Sequence, residues 1–339
     1  MDIALIAPTW LPIPAPAYGG TETVVDTLAR GLHAAGHDVL LVAHPDSTCP
    51  VPRASVVPAA DTVRMGRASI ELEHAIGAYA LARDYQVVHD HTLAGPVVAF
   101  RHPHLAVAAT NHMPFTRTMS AIFGSCVPRV GLIAISHSHA AGTDLPIAAV
   151  VHHGVDVAEF PFGDGAGGYA AVLSRMTPDK GIHRAIAIAK AAGVPLRIAA
   201  KMREPREREY FEQYIEPELG DGVEYLGELD NAGKRALLAD ASALLNPIVW
   251  PEPFGMAMVE AMACGTPVVG CPRGAAPEIV EHGVTGFLSD DDAELVAALR
   301  RVGELDRAAC RQRVAEWFSV DRMVEGHLRV YESLVAASH

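Results

Sequence analysis

The sequence predicts an α/β protein made of two doubly wound halves, and three observations predict it. The chain has 339 residues, room for two domains of ordinary size. Its apolar stretches are short and near-continuous rather than alternating, the pattern of parallel strands covered on both faces. The strand–helix alternation stops at a Gly- and Pro-rich stretch, 157–168, and then starts again.

In the first half, residues 2–7, 38–43, 86–89, 105–110, 131–136 and 148–152 read as buried strands rich in Val, Ile, Leu and Ala. Residues 21–35 carry Val24, Val25, Leu28 and Leu32 on one helical face, with Gly36 at the C-cap position. Residues 69–83 read as a second helix. Strands restart at 169–173, 196–200, 223–226, 243–246, 267–270 and 286–288. The stretch 320–337 is amphipathic, with Met323, Val324, Leu328, Tyr331, Leu334 and Val335. Two such halves imply a cleft, with ligands at the carboxyl ends of the strands.

Half the residues are hydrophobic and a fifth charged, so neither half reads as disordered. Lys plus Arg is 27 against 40 Asp plus Glu, a formal net charge of −13. That field argues against nucleic acid or an anionic membrane as the main partner. Any phosphate must be held locally, by a few placed cations and helix N-termini. The 5 cysteines show no C-x-x-C pair, which predicts reduced thiols and a cytoplasmic protein. No apolar run is long enough to span a bilayer. The N-terminal residues 1–8 lack a basic region and read as a strand, not a signal peptide.

The most informative stretch is 246–269. A strand ends at Asn246, a Pro-rich loop carries Glu252, and a helix begins near Gly255, whose free N–H groups suit a phosphate. Glu260 lies one to two turns further on. By themselves, Glu252 and Glu260 are equally a capping acid and a solvated helix residue. In context they are more specific. Two glutamates separated by seven residues, with Phe254-Gly255 after the first and Glu260-Ala261-Met262-Ala263-Cys264-Gly265-Thr266-Pro267 from the second, resemble the retaining glycosyltransferases of the glycogen-synthase-like family four. Gly19-Gly20, Val87-Val88-His89-Asp90-His91, Leu173-Ser174-Arg175 through Lys180-Gly181, and 275–287 match at their places, so the resemblance spans nearly the whole chain.

The resemblance implies a GT-B fold: two Rossmann-like domains facing across a cleft, 1–160 for the acceptor and 161–318 for the nucleotide sugar, with 319–339 crossing back as a helix. It implies that Arg175 and Lys180 grip the donor diphosphate, Arg175 as a fork and Lys180 as a point charge. The scarcity of lysine (Lys180, Lys190, Lys201 and Lys234 only) favours that reading over ordinary surface cations. Gly19 and Gly20 let backbone approach a phosphate. By resemblance Glu260 accepts from ribose hydroxyls, and Glu252 sits by the donor sugar and its reacting centre. The amides of Phe254, Gly255, Met256 and Ala257 contact sugar and phosphate. His112 stands near the donor sugar, an ordinary buried histidine being the alternative. The expected reaction moves a hexosyl group from a nucleoside diphosphate sugar, UDP first and GDP second, to a hydroxyl acceptor. No cofactor is expected.

Seventeen histidines include H-x-H pairs at His89/His91, His102/His104 and His137/His139. No cysteine joins them and H-E-x-x-H is absent, so no metal site is expected. Asp290-Asp291-Asp292 precedes an amphipathic run and reads as helix capping. Ser136-His137-Ser138 ends a strand toward the cleft. Three departures from the family stand out: Lys201-Met202-Arg203 where glycines are usual, Ser174 for glycine, and His153 for asparagine. Two other readings compete with this one. A nicotinamide oxidoreductase fails because Gly19-Gly20-Thr21-Glu22 is not G-x-G-x-x-G. A silent sugar-nucleotide-binding protein on the same scaffold is the alternative; Glu252, Glu260, Arg175 and Lys180 together speak against it, and turnover rather than ligand binding separates the two. The absence of a basic amphipathic helix disfavours a phospholipid acceptor. The compact length resembles enzymes that build antibiotic oligosaccharides, such as that of avilamycin, which implies a small-molecule or oligosaccharide acceptor.

Overall fold

The computed structural model describes residues 1–59 and 65–338. Residues 60–64 and 339, which fall within the expected ranges 1–160 and 319–339, lie outside it. The chain divides into two compact units, Met1–Gly154 with Val320–His339, and Val155–Ser319.

The first unit carries a parallel sheet of β1 (Asp2–Ile6), β2 (Asp38–Val42), β3 (Arg53–Ala54), β4 (Val87–Asp90), β5 (Ala106–Thr110), β6 (Gly131–Ala134) and β7 (Ala149–Val150). Their order is β3-β2-β1-β4-β5-β6-β7. The apolar pattern does not announce β3, because it is two residues long and held by pairing Arg53 and Ala54 with Leu41 and Val42. The expected strand 131–136 stops at Ala134. Ser136 instead caps the helix His137–Ala141, its hydroxyl accepting from the His139 N–H at 2.9 Å.

Helix Gly20–Ala34 buries Val24, Val25, Leu28 and Leu32, the predicted face. The 18-residue helix Val320–Ala337 buries Met323, Val324, Val330 and Tyr331. It packs where glycines admit close approach: a Cβ on Gly31 would stand 2.6 Å from Val324 Cγ2, and one on Gly326 2.8 Å from Val151 Cγ1. Ile6, Tyr79, Val88, Leu105 and Leu132 form the core on one face of the sheet.

The second unit repeats the plan with β8 (Ala170–Arg175), β9 (Leu196–Lys201), β10 (Val223–Gly227), β11 (Ala243–Asn246), β12 (Val268–Gly270) and β13 (Gly286–Leu288). The order is β10-β9-β8-β11-β12-β13, again parallel. Strand β8 runs past the expected Leu173, because Ser174 and Arg175 pair with Ala200 and Lys201. Arg175 is therefore the last residue of the strand rather than a loop residue. The order reverses between β8 and β11. Their pairing ends at Ala171 and Leu244, so the carboxyl ends separate there and leave a crevice.

The stretch 157–168, expected as a linker, makes its hydrogen bonds to the second unit. Arg311 donates to Val157 O and Phe160 O, both at 2.8 Å, Arg307 donates to Gly163 O at 2.8 Å, and Gly163 N–H reaches Cys264 O at 3.0 Å. The division into compact units falls at 154/155. Asp291 caps Asp292–Arg301 by accepting from Ala293 N–H at 2.8 Å. All five cysteines are buried and unpaired. Among the described residues no helix is long and apolar enough to cross a membrane.

Candidate active site

In the second unit, the segments after β8 and β11 flank the crevice. Arg175 ends β8; a 3-10 turn, Pro178–Lys180, follows, and Gly181 opens helix Ile182–Ala192 in the left-handed region (φ 68°). The close approach needs that glycine: a Cβ on Gly181 would stand 2.2 Å from Pro247 O. Val249 N–H donates to Asp179 O at 3.0 Å, and Arg184 Nη1 donates to Pro247 O at 2.9 Å. These links lace the two segments together.

The result is that Lys180 and Glu252 meet. Lys180 Nζ forms an ion pair with Glu252 Oε2. Trp250 Nε1–H donates to the same oxygen at 3.0 Å, and the ammonium lies 4.8 Å from the Trp250 ring centroid. Trp250 is a residue that sequence reasoning missed; its signal was its place two residues before Glu252. Glu252 is not a capping acid, since the N-cap of helix Met256–Ala263 is Gly255 (φ 110°) with no side-chain cap. Met258 N–H donates back to Gly255 O at 3.0 Å, and the amides of Met256 and Ala257 are the first-turn donors without a side-chain cap. Phe254 is buried, edge-on to Phe318 at 6.0 Å.

Arg175 and Glu260 are half-buried, and neither side chain has a hydrogen bond or ion pair among the described residues. Loss of hydration raises the Glu260 carboxyl above its ordinary range, against the pull of Lys234 and Arg235. The loop after β9 carries charge in place of glycine. Lys201 faces Glu207 at 3.5 Å, and Arg203 pairs with Glu228 at 2.6 Å.

Glu252 is also fixed from behind. Its carbonyl accepts from Ala275 N–H at 3.0 Å, and a Cβ on Gly274 (φ 59°) would lie 2.1 Å from that oxygen. Gly274→Ala is expected to cost about 2 kcal/mol through strain and a displaced Glu252 loop. Thermal unfolding checks the cost, and an unchanged midpoint would remove Gly274 from this account.

In the first unit, Gly19 and Gly20 begin helix Gly20–Ala34. Gly19 is extended (φ 173°) and is required by packing: a Cβ there would meet Ala15 Cβ at 2.5 Å and Glu22 Oε2 at 2.8 Å. A Cβ on Gly20 would meet nothing within 4 Å, so that side is open to a ligand. The buried Glu22 carboxylate, raised by desolvation, already stands at this helix start.

His112 follows β5 on a braced loop. Asn111 donates to Met113 O at 2.6 Å and accepts from Met113 N–H at 3.0 Å, while His139 Nε2 bonds Met113 O at 2.8 Å. His112 Nε2 lies 2.9 Å from His91 Nδ1, and its ring stacks on His153 at 5.2 Å. The H-x-H pair His89/His91 does share a face, with ring centroids 4.0 Å apart. It packs as rings, and among the described residues no three His, Cys, Asp or Glu side chains are placed so as to hold a metal ion together. His89 bonds Tyr331 Oη at 2.7 Å and Thr110 Oγ1 at 2.8 Å, and His327, which sequence reasoning did not single out, lies 5.0 Å from it. Burial drives His112 down to about 3 and His327 to about 4, and holds His89, His91 and His153 well below the ordinary imidazole range.

Cations and free amides beside a crevice can hold a diphosphate, and carboxylates beside them can accept from hydroxyls. Comparison with known proteins gives the same class of chemistry. Residues 167–304 match the family model described as glycosyl transferases group 1, and residues 18–159 match that of glycosyltransferase family 4. A phosphatidyl-myo-inositol mannosyltransferase of Mycolicibacterium smegmatis is 28% identical over 99% of this chain and 95% of its own. A glycogen synthase of Mycobacterium tuberculosis is 29% identical over 89% and 86%. Among solved structures, AviGT4, a glycosyltransferase involved in avilamycin A biosynthesis, superposes with a TM-score of 0.74 at 26% identity, covering 99% of this chain and 98% of that one. Sucrose-phosphate synthase from Thermosynechococcus elongatus does so at 0.80 and 22% identity, covering 99% of each. The two parallel sheets are those of the GT-B fold.

Proposed function

The chain belongs to the glycosyl transferases group 1, retaining hexosyltransferases that use a nucleotide-sugar donor, and from that membership we propose its site and its substrates. The donor is a UDP-sugar, with a GDP-sugar as the second reading. The acceptor is a hydroxyl of a small molecule or oligosaccharide, of the kind found on antibiotic oligosaccharides. The observation that carries the site is the meeting of Lys180 with Glu252 beside the uncapped helix start at Gly255.

In this reading the bond between the anomeric carbon and the diphosphate oxygen breaks, and negative charge grows on the leaving group. Arg175, Lys180 and the amides of Phe254, Gly255, Met256 and Ala257 meet that charge without reorganising. Glu260 accepts from the ribose hydroxyls, Glu252 stands at the donor sugar, and Gly20 with Gly19 admits phosphate to the backbone. His112 orients the sugar. The acceptor oxygen bonds to the same face of the anomeric carbon as the departing phosphate, and its proton passes to that phosphate. No metal is required, because the protein supplies the cations. Buried reduced thiols support a cytoplasmic setting.

Calorimetric titration with UDP, GDP, ADP and TDP, without metal and then with magnesium, tests the donor half. Tight metal-free binding of UDP is the expected result. Binding that needs magnesium would remove Arg175 and Lys180 as the diphosphate clamp. Turnover with the matching sugar nucleotide separates an enzyme from a silent binding protein.

A further inference from the structure

The histidines of the first unit hold a decision about where one proton sits. His112 Nε2 and His91 Nδ1 are 2.9 Å apart, a hydrogen bond in which one ring must donate. Both rings are neutral, since burial and the neighbouring histidines disfavour their charged forms. Each therefore has a single N–H to place. His91 Nε2 is buried and has no hydrogen-bond partner among the described residues. If His112 donated, the His91 proton would sit on that nitrogen as an orphaned buried donor, the rarer and costlier arrangement. If His91 donates from Nδ1, its Nε2 is left as a bare acceptor. His112 Nε2 is then occupied as an acceptor and its own proton must be on Nδ1.

We propose that His91 is a positioning residue that locks His112 in the Nδ1–H tautomer, so that His112 presents a hydrogen-bond donor, not an acceptor, to a hydroxyl oxygen of the donor sugar. This rests on the reading of His112 given above. The geometry that supports it is independent of any ligand. His112 is half-buried, and its Nδ1 meets no hydrogen-bond partner among the described residues. Asn111 and His139 pin the Met113 backbone beside His112, which fixes where the ring is anchored, and a ring flip that exchanged its nitrogens would break the bond to His91 Nδ1. His91 is held in turn: its backbone N–H donates to Ile6 O at 2.8 Å and its ring packs against His89. His89 is itself fixed by Tyr331 and Thr110. The proposal inverts the preference of a free neutral imidazole, which carries its proton mainly on Nε2.

Long-range ¹H–¹⁵N correlation of the full chain labelled with [¹⁵N]histidine reads the tautomer directly. His91 and His112 are expected as Nδ1–H, and an Nε2–H signature on His112 overturns the proposal. His91→Asn keeps an N–H near the place of Nδ1, whereas His91→Leu removes it. His112 is expected to stay Nδ1–H in the first variant and to shift toward Nε2–H in the second. His91→Leu should lower kcat about tenfold, the rate equivalent of one hydrogen bond, with nucleotide affinity unchanged and His91→Asn restoring most of the rate. Equal kcat in the two variants overturns the positioning role. If the wild-type chain binds no nucleotide, the donor reading fails, and the tautomer spectrum still decides the geometry.

Discussion

Lys180→Met lowers kcat/KM for sugar transfer by about a hundredfold or more, the usual loss when one group opposing transition-state charge is removed. The methylenes of the side chain survive, so packing against Trp250 is kept while the charge is lost. Two effects add. In the proposed clamp the leaving diphosphate loses its point charge, and Glu252, whose side chain is 19% exposed and paired with a lysine that is 10% exposed, is left without its cation. Metal-free titration with the nucleotide diphosphate should weaken in parallel. Glu252→Gln in the same background should recover stability without recovering transfer. A Lys180→Met enzyme that transfers sugar at the wild-type rate would sink the clamp.

Acidification from pH 7 to 4.5 unfolds the first unit cooperatively. His89, His91, His112, His153 and His327 have folded pKa values below the ordinary 6.5, so their contribution is complete above that pH. Below it the unfolded chain takes up protons that the buried rings refuse. The stabilisation drains away as the pH falls toward the folded values, about 3 for His112 and about 4 for His327. By pH 4.5 the rings of His112 and His327 each cost about 2–3 kcal/mol, with His89, His91 and His153 acting in the same direction, against a domain stability of about 5–15 kcal/mol.

Asp90 works the other way. Buried at the end of β4, it is pushed up from 3.8 to about 7, so its stabilisation is full below pH 3.8 and is lost as the pH rises through 7. It offsets roughly one ring by pH 4.5. Near-UV circular dichroism, with the buried Tyr331 as a reporter, checks the transition. His327→Phe, filling the same space without a titratable nitrogen, should move its midpoint to lower pH. A midpoint below pH 4 in the wild-type chain, or none moved by that variant, would mean the rings charge without unfolding.

The two halves, their parallel sheets and most strands were legible in the sequence, because a strand buried on both faces must be apolar throughout. The helix at 21–35 was legible for the same kind of reason: Val24, Val25, Leu28 and Leu32 have to share a face to be buried at all. Glu252, Glu260, Arg175 and Lys180 were legible as a motif, being close to strand ends that local patterning locates. What lay beyond local patterning was decided by tertiary contacts. Strand β3 exists only because β2 offers it an edge. The stretch 157–168 looks like a linker by composition and is bound instead by arginines about 150 positions later in the chain. Lys180 and Glu252 are 72 positions apart, and their meeting depends on Gly181 passing against Pro247. The ring stack around His112 draws on β4, β5, the segment before the second unit and the last helix, and the sequence shows no period that would join them. Burial and pKa belong to that assembled environment. The sequence determined which residue types stand at the strand ends, and only the tertiary structure decided which of them share a proton, a charge or a dry place.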